Sequence, residues 1–258
     1  MRGRHERQED EPAFVLHTYP YRETSIIVEA LTATRGRVAL VARGARRPRS
    51  DLRGVLQSFQ PLTLSWTGAG ELKTLARADW RGGLPLVTGS ALLCGFYLNE
   101  LLLKLVPRED AHPRLFENYE TALRELASGA EQAPVLRRFE LRLLAELGYA
   151  MSLTHEADTG RPIDPDARYH YAFERGPRVS AAEPGRRYPE VRGATLLALA
   201  QHDFSAPEAA AEAKRLMREV LDYYLERRAI ASRRVVRDLQ ALEDEGEKDS
   251  DERTREES

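Results

Sequence analysis

The chain has 258 residues, 42% of them hydrophobic, and its 39 lysines plus arginines nearly balance 41 aspartates plus glutamates, for a net charge of −2. That is enough apolar material for one large domain or two small ones. There is no run of eighteen apolar residues and the first twelve, MRGRHERQEDEP, are polar, so neither a transmembrane helix nor a secretory signal is expected, and a cytoplasmic location is. Cys94 is the single cysteine, which excludes an internal disulfide framework and any multi-cysteine zinc site.

Residues 1–11 read as a disordered N-terminus. From Phe14 to Ala78 the pattern is one of short alternating strands between turn signals: FVLHTY, TSIIVEAL, RVALVA, FQPLTLSW and ELKTLARA. Five short antiparallel strands leave two open edges unless they close, so a small barrel over residues 12–82 is the economical arrangement, and the five-stranded oligonucleotide-binding (OB) barrel is one such solution. After RGGLPLVTG the apolar period changes to about 3.6. In ALLCGFYLNELLLKL, residues Leu92, Leu93, Phe96, Tyr97 and Leu101 are expected on one face. Pro113 opens a second helix, with Leu115, Phe116, Tyr119, Leu123 and Leu126 apolar, and Pro134 a third that Gly148 ends. Residues 150–190 are rich in proline and read as an irregular excursion with a hairpin around YHYAFERGPRVS. Helices resume near Val191, the last strong one running from Pro207 through Tyr224 and followed by SRRVVRDLQAL. The helical domain therefore spans 83–242. Residues 243–258 carry nine acids, three bases and no apolar residue, the composition of a solvated tail. The expected fold is α+β and multidomain, an OB barrel followed by a mainly helical domain.

Basic residues comprise 35 arginines and four lysines, a skew that base composition alone can produce, so local imbalance is the more informative signal. Arg35, Arg37, Arg43, Arg46, Arg47, Arg49 and Arg53 stand against the single acid Asp51 in RGRVALVARGARRPRSDLRG. Like charges at this density repel unless an anion neutralises them. Nucleic acid fits, because phosphates recur along one track and a loop joining barrel strands borders the face on which OB folds receive single strands. Of Tyr19, Tyr21, Phe59 and Trp66, the aromatics of the barrel segment, Phe59 reads as core, and so few stacking partners favour contacts led by phosphates.

The strings YRETS, GRVALVARGARR, SDLRG, QSFQPL and GELKTL, then ALLCGFYLNELLLKL and LRRFELRLLAELGY, occur in an order and at a spacing that resemble the RecO family of bacterial recombination mediators. The resemblance is close over about residues 13–155 and looser beyond. It implies an OB domain with a helical domain behind it, binding of single- and double-stranded DNA, strand annealing, and work with RecR and with single-stranded DNA-binding protein (SSB) in loading RecA, hence association with the nucleoid. With Lys73 of GELKTL, the seven arginines are the candidate DNA contacts. The acidic SSB tail that the family uses would find an apolar groove rimmed by guanidinium groups in LRRFELRLLAELGY, so Leu136, Arg137, Arg138, Phe139 and Arg142 are the candidate partner-binding residues. Many RecO-like proteins carry a four-cysteine zinc module after LGY. The region MSLTHEADTGRPIDPDARYHYAFERGP has no cysteine, and the spacing of His155, Asp158 and His170 matches no common zinc pattern, so no metal or other cofactor is expected.

No phosphate loop, dinucleotide fingerprint, HExxH or nucleophile elbow is present, so no enzymatic activity is expected. Cys94 reads as an inert thiol on an apolar helix and Glu100 as a salt-bridge or hydrogen-bond residue. The rival reading is a non-enzymatic adaptor whose barrel takes RNA or acidic peptides on the same basic surface.

Overall fold

The structure, a computed structural model, describes residues 7–179, 188–226, 230–233 and 235. Strands β1 (Arg7–Tyr21), β2 (Ser25–Thr32), β3 (Gly36–Ala42), β4 (Pro61–Thr67) and β5 (Leu72–Trp80) close into a barrel in the order β1-β2-β3-β5-β4. With 15 residues, β1 is long enough to pair with β4 through its first half and with β2 through its second. The seam between β3 and β5 is parallel, from Ala39–Leu72 through Leu40–Lys73 to Val41–Thr74. Alternate residues point inward, as the period of two requires: Ala13, Val15, Val28, Ala30, Val38, Leu40, Leu62, Leu64 and Trp66 form one buried cluster. One helical turn, α1 (Leu52–Val55), interrupts the connection between β3 and β4.

The barrel strand begins at Arg7, ahead of the expected start at 12; residues 1–6 lie outside the described residues. The polar opening RQED hides this strand because its side chains stay near the surface while its backbone pairs with β4, Arg7 opposite Thr67 and Gln8 opposite Trp66. The buried Glu11 is satisfied by the Thr34 N–H at 2.6 Å and the Thr34 hydroxyl at 2.9 Å, which ties β1 to the β2–β3 turn.

Helices α2 (Ser90–Leu105), α3 (Pro113–Ala127), α4 (Gln132–Glu146), α5 (Gly193–Gln201) and α6 (Pro207–Tyr224) make the second domain. Its core continues into the barrel wall through Phe14, Leu16, Leu31 and Phe59. The Phe14 ring lies 5.4 Å from that of Phe116 and 5.2 Å from that of Tyr119. At the bulge between Val15 and His17, the Leu16 carbonyl accepts a 2.8 Å hydrogen bond from the buried Asn99 amide, whose oxygen accepts from the Tyr119 hydroxyl. Polar groups buried between the domains are thereby paired.

Helix α2 turns a different face inward from the one expected. Ala91, Gly95, Leu98, Asn99 and Leu102 are buried with Tyr97 and Leu101, whereas Leu92 and Leu93 are half-buried and Phe96 is 43% exposed. A nearly unbroken apolar run carries no phase, and two positions are buried for specific partners. Asn99 holds the bulge, and Gly95 leaves room for the Phe59 ring, which an added Cβ would meet at 2.9 Å. Helix α3 buries the expected Leu115, Phe116, Tyr119, Leu123 and Leu126. Helix α4 starts two residues before Pro134, and Gly148, at φ +83°, follows its end with its N–H donating to the Ala145 carbonyl. The excursion contains the expected hairpin as β6 (Arg168–Ala172) and β7 (Gly176–Arg178), and β8 (Glu190–Arg192), which was not expected, completes a sheet of order β7-β6-β8. Most of SRRVVRDLQAL and the whole of 243–258 lie outside the described residues.

Candidate nucleic-acid interface

The basic connection after β3 has a fixed backbone. The Arg46 N–H donates to the Thr24 carbonyl at 2.9 Å, and successive turns close from Arg47 to Gly44, Ser50 to Arg47, Arg53 to Ser50 and Leu56 to Leu52. Ala45 and Leu56 are buried in the barrel cluster, with Leu52 and Val55 packed against it. These apolar anchors press the loop onto the barrel and leave its cationic side chains outward: Arg43, Arg46, Arg47, Arg49 and Arg53 are all exposed. None of the five forms an ion pair with a carboxylate among the described residues. Arg22 joins the same surface, since the Arg46 guanidinium reaches the Arg22 carbonyl at 3.4 Å and the Arg22 guanidinium lies 5.2 Å from the Tyr21 ring. Sequence reading missed Arg22 because it stands alone in its own strand turn.

Three other candidates are engaged elsewhere. Arg37 is ion-paired with the buried Glu29 at 2.8 Å and donates to the Val106 carbonyl at 2.9 Å, while Arg108 takes the other Glu29 oxygen. Lys73 is buried and pairs with Glu109. Both cations therefore fasten the barrel to the segment after α2, with their charge already matched by a carboxylate. The exposed Arg35 donates to the Gln8 side chain at 2.9 Å. Of the aromatics, Tyr19 is 44% exposed and rests against His17, whereas Trp66 and Phe59 are buried, the latter as expected.

The candidate partner-binding residues divide by helix phase. Arg137 and Phe139 of α4 are buried with Glu140 and Leu143. Arg137 donates to Glu140 at 2.6 Å, and the Tyr97 hydroxyl donates to the same oxygen at 2.6 Å. Burial holds the Glu140 carboxyl above its usual range, against the opposing pull of Arg137, the Tyr97 hydroxyl and Arg233. Arg137 and Phe139 thus face the core instead of the rim of a groove. Leu136, Arg138 and Arg142 are half-buried, with Arg138 paired to Glu125 at 2.7 Å and Arg142 donating to Asn118 at 3.2 Å. Burial and the positive field of Arg142 and Arg138 lower the His202 imidazole below its ordinary pKa.

Glu100 pairs with Lys104 at 3.0 Å and accepts from the Ala231 and Ser232 N–H groups at 2.7 and 2.8 Å, the bonded role expected of it. Burial opposes its ionisation, but the Ser232 and Ala231 N–H groups, the Ser232 hydroxyl and Lys104 together outweigh that and hold its carboxyl below the usual range. Cys94 is half-buried with its thiol pushed up by burial and set against Gln132 at 3.2 Å.

Residues 7–83 match the family described as Recombination protein O N terminal, and residues 87–234 match Recombination protein O C terminal. The chain belongs to the RecO family. It is 55% identical over 237 residues to the DNA repair protein RecO of Aromatoleum aromaticum, an alignment covering 92% of this chain and 98% of the relative. It is 52% identical to that of an Azoarcus species and 49% to that of Nitrosospira multiformis, with the same coverage of both chains. The closed five-stranded barrel is the OB-fold domain of this family, which places the chain among DNA repair and recombination proteins.

In the segment where many RecO-like proteins carry zinc, His155 contacts Thr154 and Asp158 pairs with Arg178 at 2.7 Å. Backbone bonds from Ile163 to Thr154, Glu156 to Arg161 and Ala157 to Pro177 hold the loop. Among the described residues no three His, Cys, Asp or Glu side chains are grouped to hold a metal. Treatment with a strong chelator is accordingly expected to leave the thermal transition where it was. A fall of several degrees, with one zinc per chain found by elemental analysis, would contradict this.

Proposed function

We propose that the chain binds single- and double-stranded DNA through Arg43, Arg46, Arg47, Arg49 and Arg53, anneals complementary strands, and acts with RecR to load RecA onto SSB-coated DNA. The observation that carries the reading is the outward set of arginines on a backbone-anchored loop of an OB barrel, without carboxylate partners among the described residues. Arg22 extends the track. The engaged Arg37 and Lys73 contribute to the field and to holding the barrel in place, and Arg35 lies at its border.

Two complementary strands repel through their phosphates. A surface that neutralises part of this charge while leaving the bases accessible raises their encounter rate. Duplex formation then supplies roughly 1.4 kcal/mol per stacked step, so ATP is not required. The half-buried Leu136, Arg138 and Arg142 of α4 are the proposed dock for the SSB tail, an arginine taking the terminal carboxylate. The test is the pairing rate of complementary oligonucleotides, naked and SSB-coated, with and without the protein. Acceleration of both supports the reading, and failure to accelerate either overturns it. Tight binding of RNA without acceleration of DNA pairing would favour an RNA-binding adaptor.

A further inference from the structure

The chain carries its own polyanion. Residues 243–258 hold nine acids against three bases, and the match to the family stops at residue 234. The arginine surface on the barrel has the opposite charge and a fixed backbone.

The described part of the chain that precedes the acidic segment is also fixed. The Ala231 and Ser232 N–H groups bind Glu100, and Arg233 bonds Asp222 at 2.7 Å and the Tyr97 hydroxyl at 3.1 Å, so this part of the chain is fastened to α2. The same helix receives the end of the basic connection, because Phe59 packs on Gly95 and on the Phe96 ring at 5.0 Å. From Gly95 to Glu100 the helix rises only about 8 Å. The eight residues from 235 to 243 can span up to roughly 27 Å, and the stretch to 258 roughly 75 Å, lengths close to or beyond the roughly 30 Å diameter of a small domain. Tethering also gives them a high effective concentration at the barrel.

We propose that the acidic segment 243–258 occupies the arginine surface of the barrel when DNA is absent and competes with DNA phosphates for it. The inference rests on the DNA-binding reading above. With no apolar residue to bury, the contact is electrostatic and weak at each charge, so a continuous phosphate track displaces it and salt abolishes it. The consequence is selection for long or closely spaced phosphate ligands over short oligonucleotides and scattered anions.

The test uses the full chain with all nine Asp and Glu residues of 243–258 changed to Asn and Gln, and a labelled single-stranded oligonucleotide titrated at low and high salt. The neutralised chain should bind about tenfold more tightly at low salt, the gain should vanish at high salt, and it should be absent when Arg43, Arg46, Arg47 and Arg49 are alanine. A synthetic 243–258 peptide should restore the weaker binding. No gain on neutralisation overturns the inference, as does an equal gain in the arginine-lacking protein, which would reflect bulk charge alone. A gain that disappears on dilution would assign the inhibition to the tail of a second copy and overturn the tethered form. Failure of the DNA-binding reading shows separately, as unchanged affinity when the four arginines are removed from the chain with its acidic segment intact.

Discussion

Changing Arg43, Arg46, Arg47 and Arg49 together to alanine is expected to weaken single-stranded DNA binding on the order of a hundredfold at ~0.1 M salt. Each lost phosphate contact should make the log-log salt dependence shallower by roughly 0.7, so four contacts remove nearly three units of slope. Folding should be almost untouched. The four side chains are exposed and form no ion pair with a described carboxylate, whereas the loop is held by Ala45, Leu52, Val55 and Leu56 and by its own backbone bonds. Surface changes of this kind move stability by about 0.5 kcal/mol or less each. Fluorescence anisotropy across a salt series, beside a thermal melt, measures both. An unchanged slope with an unchanged melt would take this loop out of the binding surface.

The second large effect is on stability. Arg137→Ala is expected to destabilise the helical domain by about 3–5 kcal/mol, because it strands the Glu140 carboxylate in a core where its other oxygen already has no hydrogen-bond partner among the described residues. In a protein of this size that corresponds to a fall in Tm of about 6–15 °C. Replacing Arg137 and Glu140 together by leucine should recover much of the loss, since two well-packed apolar residues need no charge partner. Arg138→Ala should cost far less, because its pair with Glu125 is only half-buried and both groups keep access to water once separated. If Arg137→Ala instead leaves the melt unchanged and abolishes binding of an SSB-tail peptide, Arg137 works at a surface and not in the core.

Arg137 also marks the boundary of what the sequence made legible. The strands could be read because alternation and turn residues coincide, as in RVALVA, where Val38, Leu40 and Ala42 all face the barrel interior. The helices of high amphipathicity were equally plain. What escaped were positions whose environment is set by a distant partner. An arginine in LRRF looks the same whether it meets water or a buried carboxylate three residues on. Arg37 and Lys73 are matched by Glu29, eight residues away, and by Glu109, 36 residues away. Charge density located the loop but could not separate its five outward arginines from Arg37, just as the string GELKTL could not show that Lys73 is paired, because pairing is a tertiary property. Helix α1 was missed since four residues give no measurable period, and α2 was misphased since almost every position in it is apolar.

The parallel seam between β3 and β5 gives the loop a second significance. The pairing of β3 with β5 closes a ring of chain that runs from Val41 through the arginine-bearing connection and β4 to Leu72, so the stretch that presents the arginines is part of the loop whose closure shuts the barrel. For such a connection the entropy of ring closure grows only as the logarithm of its length, about 0.6 kcal/mol for each doubling. Insertions that add cationic residues between the buried anchors thus cost the fold little. The proposed nucleic-acid surface can be lengthened or recharged over evolutionary time while the closed sheet beneath it stays as it is.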